Sequence, residues 1–106
     1  MVYQEPKNGA DLAAIINKGG KLIIYYTATW CGPCRMMAKP FSDLSDQYQG
    51  ITFIKADIDA CSEYPPVANI SGVPAFFGYN GTTLIGNFAG ANQNSLKDLC
   101  NKVQSA

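Results

Sequence analysis

The sequence predicts an α/β fold, and three observations carry that prediction. Two continuous apolar, β-branched runs occupy positions 21–28 and 51–58, the pattern of strands buried on both faces. The stretch between them has helical rather than strand periodicity, so strand, helix and strand form a βαβ crossover. Downstream, two shorter apolar runs flank the dipeptide Asn80-Gly81, the signature of an antiparallel hairpin.

Taken in chain order, the first element is a short helix over 11–18, with Leu12, Ile15 and Ile16 on one face and Gly19-Gly20 to end it. Lys21-Leu22-Ile23-Ile24-Tyr25-Tyr26-Thr27-Ala28 forms the first buried strand. From Cys34 to Tyr48, the spacing of Met37, Phe41, Leu44 and Tyr48 defines a helix with one apolar face. The run from Ile51 to Ile58 is the second buried strand. After Val73-Pro74, the segments 75–79 and 83–88 pair about Asn80-Gly81. Leu96, Leu99, Cys100 and Val103 share one face of a closing helix over 95–103.

A chain of 106 residues is expected to form a single domain, 1–106, burying roughly two-thirds of its unfolded surface without metal or disulfide staples. Lys and Arg total 8 against 8 Asp and Glu, with no basic stripe, which argues against nucleic acid or anionic lipid as a partner. No apolar run approaches the ~18 residues of a membrane span, and the first residues lack the basic-then-apolar pattern of a signal peptide. The expectation is a soluble, cytoplasmic protein. Its four cysteines, at 31, 34, 61 and 100, allow three pairings, of which only the closely spaced one should cycle in a reducing compartment. The absence of His removes Cys-His hydrolases and His-containing metal sites, and with them the usual proton shuttle near neutral pH.

The chemistry concentrates in Trp30-Cys31-Gly32-Pro33-Cys34. Two thiols separated by Gly-Pro can interconvert between dithiol and disulfide with little backbone movement. A thiol attacks only as thiolate, and a helix N-terminus lowers the pKa of the first thiol through its amides and dipole. Cys31 is therefore the expected attacker and Cys34, one turn further in, the resolving thiol.

These five residues, preceded by Ala28-Thr29 and followed by Val73-Pro74, Asn80-Gly81 and Gly90-Ala91-Asn92, resemble the thioredoxin family, of the eukaryotic cytosolic kind, over nearly the whole chain. The resemblance implies a thioredoxin fold: a three-layer α/β/α sandwich whose central mixed β-sheet is flanked by four helices. It implies a cis Val73-Pro74 peptide facing the dithiol, and a substrate-docking surface of Trp30, Gly32, Pro33, Val73, Pro74, Gly90 and Ala91. By the same resemblance the chain is a protein-disulfide reductase and electron carrier. It would bind no cofactor and no metal, and use NADPH indirectly through thioredoxin reductase. Its substrates would be disulfide-containing proteins such as peroxiredoxins, methionine sulfoxide reductases and ribonucleotide reductase. A monomer is implied, with a disulfide-linked dimer through Cys61 as the alternative, because some animal relatives carry a regulatory Cys at that place.

Departures from the family sharpen the expectations. Tyr25 stands where relatives carry a buried Asp that assists the second Cys, and a phenol with a pKa near 10 is a poor base at neutral pH. Lys55 matches the Lys that accompanies that Asp, and Asp57, two residues on, is the candidate new partner. Tyr25, Lys55 and Asp57 are thus the residues that bear on the proton of Cys34. Pro40 shifts the helix kink by one residue, and Tyr64-Pro65-Pro66 should delay the family's third helix to Pro65 or Pro66. Cys100 reads as a small buried hydrophobe, and Met36 and Met37 as packing residues. Cys61 is the candidate regulatory thiol, with Asp57 and Asp59 raising its pKa. Two other classes compete: a metal or iron–sulfur protein using all four cysteines, and a non-catalytic binding module on the same fold.

Overall fold

The computed structural model describes residues 2–106. Five strands, β1 (Tyr3–Gln4), β2 (Lys21–Thr27), β3 (Thr52–Asp57), β4 (Ala75–Asn80) and β5 (Thr83–Ala89), alternate with α1 (Gly9–Asn17), α2 (Gly32–Gln47) and α3 (Gln93–Gln104). The first helix starts two residues before the apolar periodicity does, because the Asn8 side chain accepts a hydrogen bond from the Asp11 amide at 2.8 Å and caps it. Strand β1 was not expected. It is two residues long, too short to show a period, and takes its conformation from pairing with β3.

The sheet has the order β1-β3-β2-β4-β5, parallel among β1, β3 and β2 and antiparallel for β4 and β5. Side chains of β2 alternate between two cores, as the two-residue period of a strand requires. Ile23 and Tyr25 enter one core with Phe41 of α2 and Leu96 of α3, while Leu22, Ile24 and Tyr26 enter the other with Leu12 of α1. The sandwich therefore has three layers, as expected.

The expected four helices are corrected to three α-helices and a 3-10 helix, Pro65–Asn69, among the described residues. Two prolines open that segment and Ile70 is already extended, leaving room only for the tighter bonds Val67 N to Tyr64 O and Ile70 N to Val67 O. The hairpin also turns one residue later than expected. Asn80 pairs with Thr83, so the loop residues are Gly81 and Thr82. Gly81 has φ 63° and no non-glycine residue among the described residues has positive φ, which places the glycine first in the turn, as type II′ requires.

Three aromatic rings lie opposite one another across β2, β4 and β5. Tyr25 pairs with Phe76 and Phe76 with Phe88, with ring centroids 4.9 Å and 4.8 Å apart. Phe41 of α2 packs against Tyr25 at 5.0 Å. Helix α3 lies so close to β4 that a Cβ on Gly78 would fall 2.6 Å from Val103 Cγ2.

Cys100, on the buried face of α3, is the small hydrophobe its spacing suggested. Burial pushes its thiol from 9.0 up to about 12. The folded chain then holds a proton that the unfolded chain releases, so this contribution to stability is complete below pH 9 and is lost as pH rises towards 12. The difference in unfolding free energy between wild type and Cys100→Ala should shrink by about 1.4 kcal/mol between pH 8 and pH 10. Urea unfolding at the two pH values measures it, and a pH-independent difference would contradict the assignment.

Candidate active site

The β2 strand ends at Thr27 and delivers the chain to the N-terminus of α2, where Cys31 is the N-cap residue with φ −90° and ψ 109°. Its Sγ accepts a hydrogen bond from the Cys34 amide at 3.2 Å. Pro33 occupies the first turn, where a missing N–H is harmless. Cys31 and Cys34 form a disulfide with Cα atoms 5.3 Å apart, inside the ordinary range. When the bond is reduced, the amides and dipole at this helix end favour negative charge on Cys31.

Around the disulfide, the residues proposed for docking come together. The Val73-Pro74 peptide is cis, and the Val73 carbonyl lies 3.6 Å from Cys31 Sγ. The Gly90 amide donates to the Pro74 carbonyl at 2.8 Å, so the 90–91 loop sits beside the same segment. Gly90 has φ 108°, which glycine alone adopts without strain. Trp30 is 66% exposed and Gly32, Pro33 and Ala91 are exposed. The indole is held by a hydrogen bond from Trp30 Nε1 to Asp59 Oδ2 at 2.9 Å. Sequence reasoning missed this role of Asp59, since nothing in a chain separation of 29 residues announces the pairing. The two methionines divide: Met37 is core, but Met36 is 70% exposed and adds apolar surface next to the site. It is not the packing residue expected.

Behind the disulfide, a cavity of about 330 Å³ is lined by Cys34 and Arg35 of α2, Tyr25 and Thr27 of β2, Lys55 and Asp57 of β3, and Glu5. The Tyr25 hydroxyl donates to the Cys34 carbonyl at 2.5 Å, and burial raises its pKa above the ordinary 10.0. At neutral pH Tyr25 is therefore a fixed donor and a structural tie between sheet and helix. The expected Lys55–Asp57 ion pair is absent among the described residues. Side chains two apart on a strand stand nearly 7 Å from each other, and Lys55 Nζ instead lies 6.0 Å from the centre of the Tyr3 ring, at the outer limit of a cation–π contact. Asp57 Oδ1 accepts from the amides of Asp59 at 2.8 Å and Ala60 at 3.3 Å, which fixes the carboxylate.

Cys61 is 0% exposed, with its Sγ against the Pro6 carbonyl. Burial is the main cause raising its pKa, followed by the charges of Asp57, Glu63 and Asp11; Asp59 is not among them. A thiol so placed, the candidate for a regulatory or dimer-forming role, reaches a second chain only after local opening. It lies in the core on the α1 side of the sheet, whereas Cys100 lies in the core beneath α2 and α3. The four thiols do not converge.

A redox-active disulfide capping a helix at the end of a central strand, in a three-layer sandwich with a cis proline alongside, defines a thiol–disulfide oxidoreductase. The family model Thioredoxin matches residues 5–104, and the chain belongs to the thioredoxin family. It is 38% identical over 104 residues to the thioredoxin of Ictalurus punctatus, covering 95% of this chain and 97% of that one. The thioredoxin structure from Plasmodium falciparum superposes with a TM-score of 0.86 at 32% identity, covering 93% of this chain and 97% of that one. A chain from the structural study of thiol resolution in yeast mitochondrial 1-Cys peroxiredoxin by the glutathione and thioredoxin systems gives 0.82 at 28%, with 93% of each chain covered. No helix among the described residues is long and apolar enough to cross a membrane.

Proposed function

We propose that this protein is a general dithiol reductase of the cytoplasm, in which Cys31 attacks and Cys34 resolves. The observation that carries this assignment is the position of Cys31 at the N-cap of α2, with its sulfur beside the Val73 carbonyl, where an extended peptide can pair with exposed backbone as it meets the nucleophile. Cys31 is 4% and Cys34 2% exposed, so the helix N-cap position and the contact with Val73, not exposure, single out Cys31 as the attacker.

In the first step the Cys31 thiolate displaces one sulfur of a substrate disulfide, and that sulfur leaves as a thiolate and takes up a proton. In the second, Cys34, having lost its proton, displaces the substrate's other sulfur from Cys31. The substrate gains two electrons and the Cys31–Cys34 bond forms. Trp30, Gly32, Pro33, Val73, Pro74, Gly90 and Ala91 form the docking face, whose small and apolar side chains admit many partner backbones. Thioredoxins generally act with thioredoxin reductase and disulfide substrates, and the same reductase would return electrons here from NADPH, with no cofactor bound to this chain. Peroxiredoxins, methionine sulfoxide reductases and ribonucleotide reductase are the proposed substrate classes. The yeast peroxiredoxin comparison supports the first of them.

Insulin-disulfide reduction with NADPH and thioredoxin reductase tests the reading, with NADPH oxidation expected to depend on this protein. Cys34→Ser should accumulate covalent mixed disulfides through Cys31 that dithiothreitol releases. Reductase-coupled turnover that does not rise above the rate without this protein would defeat the proposal.

A further inference from the structure

The established chemistry leaves one group without a partner: the proton that Cys34 must lose before it can resolve the mixed disulfide. The side chain best placed in sequence to take it, Tyr25, is committed in the opposite sense, donating its own hydrogen to the Cys34 carbonyl. The cavity behind Cys34 offers another route. At about 330 Å³ it holds several waters, and its polar lining gives them partners.

We propose that Asp57, acting through water in this cavity, is the general base that deprotonates Cys34. Two carboxylates line the cavity, Asp57 and Glu5, and the structure favours Asp57. Glu5 is exposed, whereas Asp57 is half-buried and its Oδ1 is anchored by the amides of Asp59 and Ala60, leaving the rest of the carboxylate for the cavity. Asp57 and Phe53 alternate onto the same face of β3, and Phe53 packs in the core beneath α2. The carboxylate therefore stands on the Cys34 side of the sheet. The ionisable groups around it are Lys55 on the same strand, Tyr25 on β2, Arg35 and Cys34 on α2, Glu5 after β1, and Asp59 and Cys61 in the turn that follows. Lys55 Nζ lies 6.0 Å from the centre of the Tyr3 ring, and among the described residues no cation pairs with the carboxylate, which is therefore able to accept. The Cys34 proton passes to water and the water's proton to Asp57. The Cys34 sulfur keeps the electron pair that then bonds to Cys31, and the protonated acid later returns its proton to solvent.

This inference rests on the assignment of Cys34 as resolving thiol, and the experiment separates the two. Single-turnover reduction of a short cystine peptide, quenched in acid and read by mass spectrometry, resolves formation of the mixed disulfide at Cys31 from its decay. In the wild type the decay rate should be level between about pH 6 and pH 8, since a proton passed within the site makes the rate independent of hydroxide. Asp57→Asn should slow decay at least about tenfold at pH 6.5 and make it rise about tenfold per pH unit. Formation should keep its rate, and Asp57→Glu should restore the level profile. Glu5→Gln should change nothing. A wild-type decay that already rises with hydroxide, an unchanged profile in Asp57→Asn, or a loss that falls on Glu5→Gln would each overturn the proposal. The wild-type profile decides even if Asp57→Asn does not fold. Absence of any mixed disulfide would overturn the reductase assignment and this inference with it.

Discussion

Cys31→Ser should lose disulfide reduction to no more than about one part in 10⁴ of the wild-type rate while keeping its fold. A serine hydroxyl is not ionised at neutral pH and cannot exchange with a disulfide, so no neighbouring group substitutes for the lost thiolate. The helix, however, keeps its cap. Cys31 Sγ accepts the Cys34 amide, and a serine oxygen at the N-cap position makes that same bond well. The variant is also relieved of the disulfide, whose small loop stabilises the oxidised chain by about 2 kcal/mol. Its stability should therefore match that of the reduced wild type. Coupled insulin reduction and urea unfolding under reducing conditions check the two halves. Residual activity above a few per cent would show that Cys34 attacks independently.

Phe76→Ala should cost about 4 kcal/mol, a large part of the 5–15 kcal/mol that stabilises a domain. Phe76 is fully buried and is the middle ring of the row formed with Tyr25 and Phe88. Removing it deletes two stacked contacts and leaves a void that neither neighbour can fill, because both are fixed by their strand register. The damage also reaches chemistry, since Tyr25 is the residue whose hydroxyl holds the Cys34 carbonyl. A fall in urea midpoint at constant m-value is expected. A loss below about 1 kcal/mol would mean that the cluster repacks around the gap.

Elements with long, one-sided or doubly buried periodicity were legible in the sequence, and the dithiol at the start of α2 was legible from its five-residue motif. What escaped was decided by contacts between distant segments. Strand β1 exists because β3 offers it an edge, and Asp59 serves the site because the turn after β3 returns to Trp30. Cys61 carries no local mark of burial; it is covered by Pro6 and by the core under α1. Met36, by contrast, was legible: the spacing that puts Met37 on the apolar face of α2 with Phe41 and Leu44 leaves its neighbour off that face, and Met36 is exposed. The hairpin shifted by a residue because Gly, and not Asn, takes the first positive-φ position.

The hydrogen bond from Trp30 to Asp59 has an optical consequence. The chain contains a single tryptophan, and it sits next to the sulfur pair, tethered rather than free to rotate. All indole emission from this protein thus originates at its reactive end. Disulfides quench nearby excited indoles, so emission is expected to rise when the Cys31–Cys34 bond is reduced, a change that a fluorimeter would read without a label or a mutation.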